Sequence, residues 1–220
     1  MDSVTSDERL CFETLVVMRD YALRPTLVIT AIGFKVSITE EDVAEEINYW
    51  KSSVVGYVMG KRQYYPHFNA FIEKYWSKAI TLVYLKNGFF MVRFQHAADV
   101  QQVLSRIHTF EGRVIIIKQW SKNVTLKREN FDSLPIWIRV HDLPVHCRNS
   151  ISLSKVCSLF SKPIYMDEPD LHRDKDEFVR VMVEVDICQD LPESMVIDIH
   201  GEDYTVNIEY EWKPVVCSLC

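Results

Sequence analysis

Between Ser53 and Trp120 the spacing of hydrophobic residues changes repeatedly between the period of a strand and that of a helix. Strand-like stretches occupy residues 53–60, 80–85, 89–94 and 113–120, and a Lys86-Asn87-Gly88 turn separates the middle two. Apolar residues three and four positions apart indicate helices at 66–78 and 97–107. The resulting order predicts a ferredoxin-like, RNA-recognition-like βαββαβ domain of the α+β class.

The flanking segments have more varied patterns. Thr39 and Asp42 resemble a capping box, and the helix that follows would carry Val43, Ile47 and Trp50 on one face. Before Thr39, a helix at 6–18 and a strand within 26–34 are predicted. Residues 121–133 are polar and indicate a linker. The remainder predicts an α+β extension without a convincing internal repeat, with a helix at 150–160 and strands at 135–143, 163–168, 178–187, 195–201 and 204–212.

Charge divides the chain in the same way. The formal net charge is −6, but residues 48–128 carry 13 basic and 3 acidic residues, whereas residues 129–220 carry 8 basic and 18 acidic ones. We therefore predict an N-terminal extension with its helix at 1–47, a basic RNA-recognition-like domain at 48–128, an acidic extension at 129–216 and a Cys-x-x-Cys segment at 217–220. A basic domain between acidic ones favours a nucleic-acid partner; the alternative is random charge on solvated faces.

The amino-acid composition indicates the cellular compartment in which the protein occurs. The longest apolar runs are a few residues, so no membrane span and no membrane partner are predicted, and the polar N-terminus lacks the shape of a signal peptide. Six cysteines, mostly isolated among apolar residues, favour reduced thiols over a disulfide framework. These features indicate a nuclear or cytoplasmic protein.

Aromatic residues on the middle strands are candidates for stacking on bases. The stretch "GFFMVRF" approximates the third strand of RNA-recognition domains. Alternation along that strand puts Phe89, Met91 and Arg93 on one face, opposite a core face with Phe90 and Phe94. We expect the first face to be open, with Phe89 stacking on a base, Arg93 pairing with a phosphate or stacking, and Tyr57 as a second aromatic contact. The alternative is that this face packs on another part of the chain.

Basic side chains in and after this domain are the expected phosphate contacts. Their binding would depend strongly on salt and little on base sequence. The residues are Lys61, Arg62, Lys86, Arg113, Lys118, Lys122, Lys127 and Arg128.

Motifs for catalysis are absent from the sequence. The 6 glycines form no phosphate-binding loop, and neither a G-x-x-x-x-G-K-[ST] nor a G-x-S-x-G motif occurs. His141, His146 and Cys147 lie close together in sequence, but neighbouring positions rarely give a nucleophile and base the facing geometry that they need. We therefore expect a protein that is not an enzyme.

From about Ile38 to Cys220 the chain resembles a plant family that joins an uncharacterised domain to a CCHC zinc knuckle. Many members are first-reading-frame or fused proteins of LINE-type retrotransposons. The resemblance rests on an ordered series of stretches: "EEINYWKSSVVGYVMG", "FIEKYW", "LKNGFFMVRF", "VLSRIHTFEGRVIIIKQW", "LPIWIRVHDLP", "FVRVMVEV" and "YEWKPVVCSLC".

The resemblance implies a function and a metal motif. It implies a non-enzymatic protein that binds single-stranded RNA or DNA and packages or chaperones the RNA of its element. Cys217 and Cys220 would be the first two ligands of the knuckle, whose His and last Cys would lie beyond Cys220. Structural zinc needs four ligands, so no cofactor is expected here unless the knuckle is completed. The alternative function is a protein-interaction module taken over by the host, with the sheet face covered by the acidic segment and with self-association or a host protein as partner.

Overall fold

The computed structural model describes residues 37–167 and 177–214, and the chain divides into two units, 1–43 and 44–220. The predicted elements before residue 37 and the pair Cys217 and Cys220 lie outside the described residues. In the first unit the Thr39 backbone N–H donates to Asp42 Oδ2 at 2.7 Å, and the Asp42 N–H donates to Thr39 Oγ1 at 3.4 Å. This confirms the capping box. Helix α1 extends over Glu40–Trp50.

The first module of the second unit is an antiparallel sheet with two helices. Its elements are β1 (Ser53–Val58), α2 (Tyr65–Tyr75), β2 (Ala79–Tyr84), β3 (Phe89–Phe94), α3 (Ala97–Leu104), β4 (His108–Phe110) and β5 (Arg113–Gln119). The strand order is β2-β3-β1-β5-β4. With β4 as an added edge strand, this order is that of the ferredoxin-like fold and confirms the predicted fold class.

One face of this sheet forms the main core of the first module. Phe90, Val92 and Phe94 of β3 pack there against Phe68 and Trp76. Strand alternation therefore places these residues as the sequence predicts. The short strand β4 was not predicted, because its three residues follow a helix pattern that the sequence extends to Ile107, whereas α3 ends at Leu104.

Gly56 lies where three neighbouring groups leave no room for a side chain. A Cβ atom built there would overlap the carbonyl oxygen of Ile116 and would lie 2.7 Å from Ile117 Cγ2 and 3.0 Å from Phe90 Cζ. We expect Gly56→Ala to lower the free energy of unfolding by about 1–3 kcal/mol, because overpacking forces neighbouring atoms to shift. Chemical denaturation measures this loss, and an unchanged midpoint would show that β1 and β5 can separate freely at this point.

The second module repeats the strand order of the first. Its elements are β6 (Ser133–His141), α4 (Ser150–Cys157), β7 (Lys162–Met166), β8 (Phe178–Asp186), β9 (Ser194–Ile199) and β10 (Glu202–Tyr210). The order β7-β8-β6-β10-β9 matches that of the first sheet strand for strand. Residues 187–193 contain no helix and stand where α3 stands in the first module. The predicted α+β extension is thus a ferredoxin-like sheet that lacks the second helix.

Local sequence explains why α4 begins and why both edge hairpins close tightly. The Asn149 side chain accepts hydrogen bonds from the N–H groups of Ile151 and Ser152, as an N-cap does. The β4–β5 turn at Glu111-Gly112 and the β9–β10 turn at His200-Gly201 both have positive φ at two successive residues, with values from 51° to 87°. Such turns match the twist of the paired strands.

Candidate nucleic-acid interface

The second face of the first sheet carries the aromatic residues that the sequence marks for stacking on bases. Val55 and Tyr57 of β1 and Phe89 and Met91 of β3 form one buried cluster there, which we call the covered face. The ring centroids of Tyr57 and Phe89 are 4.9 Å apart. The sequence therefore assigned these residues to the correct face of the sheet.

This face is closed, which corrects the expectation that it is open. Phe89 is 1% exposed, Tyr57 3% and Met91 8%, so none of them offers a ring or side chain to a base. Arg93 is half-buried, and its guanidinium lies 4.1 Å from the ring centroid of Tyr49. The side chain predicted to reach a phosphate is thus stacked within the protein.

The cover over this face comes from two directions. Trp50 packs against it from the end of α1, and Trp120 and Val124 pack against it from residues 120–129, which we call the cover segment. The Glu129 N–H donates to the Tyr57 hydroxyl at 3.1 Å, and the Arg128 guanidinium lies 5.1 Å from the Tyr57 ring centroid.

The composition of the cover differs from the expectation that the acidic segment after residue 129 would cover the face. The cover segment is basic, with Lys122, Lys127 and Arg128. It contributes one carboxylate, Glu129, which pairs with Lys118 at 3.2 Å. Lys118 is therefore paired with a carboxylate of the cover segment, and the Lys127 side chain is exposed.

Five of the predicted phosphate contacts come together at one end of the sheet, which we call the cationic edge. The Arg113 Nη1 donates to the Lys61 carbonyl oxygen at 2.7 Å, and Arg128 Nη1 donates to the Gly60 carbonyl oxygen at 3.3 Å. A Cβ atom built on Gly88 would lie 3.3 Å from Arg128 Nη2 and 4.0 Å from Arg62 Cγ, so the β2–β3 turn that carries Lys86 adjoins them. The members are Lys61, Arg62, Lys86, Arg113 and Arg128.

Three of these five cations face solvent and form no ion pair with a described acidic side chain. Lys61, Arg62 and Lys86 are exposed, and no described acidic side chain forms an ion pair with them. Arg113 pairs with Glu111, whose Oε2 accepts from Arg113 Nη2 at 2.8 Å. The cationic edge therefore keeps a net positive charge that can attract phosphates.

A cleft of about 510 Å³ opens beside the cationic edge, and we call it the Gly60 cleft. Two aromatic residues that the sequence analysis did not assign to the site line it, Tyr64 and Trp212. Tyr64 is 63% exposed. Trp212 packs on the core of the second module, and a Cβ atom on Gly60 would lie 3.6 Å from its Nε1. The remaining lining residues are Met59, Gly60, Lys61, Arg62, Glu111, Arg113 and Pro214.

None of the described cysteines lines the Gly60 cleft. Cys147, Cys157 and Cys188 are free thiols, and burial raises the pKa of Cys157 to about 12, so it stays protonated. Within residues 37–167 and 177–214, no group of three or more His, Cys, Asp or Glu side chains is placed to hold a metal ion. No helix in that part of the chain is long and apolar enough to cross a membrane.

One family model matches the part of the chain that forms the first module. Residues 46–128 match the model of a family described as a domain of unknown function, DUF4283. This range runs from the end of α1 through Arg128 and so includes most of the cover segment. No curated protein matches the chain. Among the solved structures that match is the RNA-binding domain of Hrp1 in complex with RNA, at 15% identity and a TM-score of 0.29, over 73% of this chain and 96% of that one.

Proposed function

We propose that the protein binds single-stranded nucleic acid, RNA in the first place, at the cationic edge and without catalysing a reaction. The observation that carries this proposal is the meeting of Lys61, Arg62, Lys86, Arg113 and Arg128 around one end of the sheet. They come from four separate parts of the sequence. Cations gathered at one edge repel each other, and a phosphate backbone bound there relieves this repulsion and releases its own counterions.

Exposed aromatic surface beside the cations favours a single strand over a duplex. Tyr64 and Trp212 line the cleft next to Lys61 and Arg62. Unstacked bases pack on such side chains while phosphates follow the basic groove. The covered face takes no part in this binding mode, because its aromatic residues are buried.

The sequence resemblance supports a narrower role for this binding. We propose that the protein derives from a LINE-type retrotransposon of a plant, packages or chaperones the RNA of its element, and acts in the nucleus or the cytoplasm. Zinc would join at Cys217 and Cys220 where a zinc knuckle is completed, because two thiolates alone make half of a structural site.

The test is a charge reversal on the cationic edge. In the variant Lys61→Glu, Arg62→Glu, Lys86→Glu we expect affinity for a short single-stranded RNA to fall by at least roughly tenfold at low salt. Each phosphate contact with a single strand contributes about 0.7 to the slope of log affinity against log salt. Loss of three contacts should therefore make this slope shallower by about 2. Fluorescence anisotropy at several salt concentrations measures both quantities.

A matched triple variant distinguishes this edge from general positive charge. Lys51→Glu, Lys74→Glu, Lys155→Glu changes the net charge equally at exposed positions elsewhere in the chain. It should retain most of the affinity and nearly all of the salt slope. Equal losses in the two variants, with both still folded, would refute a defined site at the cationic edge.

The closed sheet face favours a second candidate function, a protein-interaction module. A face covered by its own chain cannot act as the open RNA surface that the fold commonly presents. In that case the wild-type protein would show no measurable affinity for single-stranded RNA or DNA even at low salt. A host protein or a second copy of the chain would then be the partner.

A further inference from the structure

The Gly60 cleft combines apolar walls with a single carboxylate. Trp212, Met59 and Pro214 provide apolar surface, Lys61 and Arg62 are the cations, and Glu111 is the one acidic side chain among the described residues that line the cleft. A cavity of about 510 Å³ lies within the usual range for small-ligand sites. An apolar slot flanked by cations suits a nucleobase whose neighbouring phosphates stay at the rim.

The position of Glu111 is fixed before any ligand arrives. It lies in the β4–β5 turn with φ of 51°, followed by Gly112 with φ of 75°. Arg113 holds the turn against the end of β1, because its Nη1 donates to the Lys61 carbonyl oxygen at 2.7 Å while its Nη2 donates to Glu111 Oε2 at 2.8 Å. On the far side of the turn, a Cβ atom built on Gly112 would lie 3.1 Å from Glu211 Cβ and 3.1 Å from the Glu211 carbonyl oxygen.

The carboxylate remains available to a ligand. The Glu111 side chain is 50% exposed, and its second oxygen, Oε1, lies 3.6 Å from His67 Nδ1. An ionised carboxylate only accepts hydrogen bonds. It can therefore accept from the exocyclic amino group of a base, whereas it would face the O4 acceptor of uracil without a proton between them.

We propose that the Gly60 cleft holds one unstacked base that carries an exocyclic amino group, and that Glu111 is the residue that discriminates against uracil. This inference rests on the proposed function, since the cations of the edge bring the strand to the cleft. With Glu111 the site would select among bases, whereas its cations recognise only the charge of the phosphates.

Cytosine and uracil provide the sharpest comparison, because they are equal in size and differ at the group that Glu111 would contact. We expect the wild-type protein to bind an oligocytidylate about fivefold more tightly than an oligouridylate of equal length, the lower end of the range for a specific base contact. In Glu111→Gln the ratio should fall to about 1, because an amide both donates and accepts. Fluorescence anisotropy at one fixed salt concentration gives both affinities.

Glu129→Gln is the matched control. Glu129 is 52% exposed and pairs with Lys118, much as Glu111 is 50% exposed and pairs with Arg113. Both substitutions remove one negative charge, so each can raise the affinity for both oligonucleotides, but only Glu111→Gln should change the ratio.

The possible results separate this inference from the proposed function. Equal wild-type affinity for the two oligonucleotides, or a ratio that survives in Glu111→Gln, would overturn base selection by Glu111 while binding at the cationic edge stands. Failure of the wild-type protein to bind either oligonucleotide at low salt would refute the proposed function, and the inference with it.

Discussion

Replacement of Phe89 by alanine is expected to lower the free energy of unfolding by about 3–5 kcal/mol, the usual cost of truncating a buried phenylalanine. Phe89 is 1% exposed and packs with Val55, Tyr57 and Met91 beneath the cover segment. Truncation would leave a cavity between the sheet and its cover. Chemical denaturation, followed by tryptophan fluorescence, measures the loss.

Two further variants give this prediction its controls. Phe90→Ala, on the opposite face of β3, should lose a similar amount, because Phe90 is 0% exposed. Tyr64→Ala, at a residue 63% exposed, should leave stability nearly unchanged while weakening RNA binding. If Phe89→Ala kept its stability and lost RNA affinity instead, the sheet face would be the binding surface after all.

Alternation along β3 explains why the sequence predicts the two faces correctly but leaves open whether the second face is covered. A period of two decides which residues share a face, and Phe89 and Phe90 follow it. It does not reveal what lies against that face. The cover segment offers few apolar residues, chiefly Trp120 and Val124, so its sequence has the character of a linker. Its attachment depends on contacts such as that between Glu129 and Tyr57, which are 72 residues apart.

In the second module, too, the sequence predicts the strands but not how they are arranged in the sheet. Its strands were predicted from their patterns, yet the repeated order β7-β8-β6-β10-β9 could not be recognised. This fold needs strands of alternating residues, tight turns and a helix. Two segments without sequence similarity can both meet these needs, so the sequence shows no repeat. Because residues 187–193 replace the second helix, the sequence pattern of the complete fold is also interrupted.

The candidate site was likewise predicted in part. Its cations stand out in the sequence, since residues 48–128 hold 13 basic residues. Trp212 belongs to the acidic part of the chain and gave no comparable signal. Its place beside Gly60 follows from how β10 ends against the first module, where Glu211 meets the Glu111-Gly112 turn.

The partly buried ion pair that fixes this end of β10 leads to the last prediction. Arg180 of β8 binds Glu211 in bidentate fashion, with Nε to Oε1 at 2.7 Å and Nη2 to Oε2 at 2.9 Å. It also donates to Asp167 at 3.1 Å and lies 3.8 Å from the centroid of a Trp137 ring. The Glu211 side chain is only 11% exposed, so its charge depends on this partner.

Arg180→Ala should lower the free energy of unfolding by about 3 kcal/mol at neutral pH, because it leaves a largely buried carboxylate without its main partner. Burial by itself would raise the pKa of Glu211, but the hydrogen bonds and charge of Arg180, followed by Arg139, hold that pKa below its ordinary value. In the wild type this stabilisation is present above the unfolded pKa of about 4.3 and is lost as the pH falls below it.

The variant should respond to pH in the opposite sense. Without Arg180 the pKa of Glu211 rises, so the carboxyl is protonated at a higher pH and the penalty for its buried charge disappears. The stability difference between wild type and variant should therefore shrink between about pH 7 and about pH 4, as urea denaturation at both pH values would show.

Arg139→Ala serves as the comparison, because Arg139 is 36% exposed and contacts the same carboxylate at 3.3 Å. We expect Arg139→Ala to lower the free energy of unfolding by about 1 kcal/mol or less, as loss of a solvent-screened pair does.

Since Glu211 directly precedes Trp212, Arg180→Ala should also weaken RNA binding at the Gly60 cleft, whereas Arg139→Ala should not. A loss of stability in Arg180→Ala that stayed constant from neutral to acid pH would mean that Arg180 acts through packing on Trp137 rather than through the charge of Glu211.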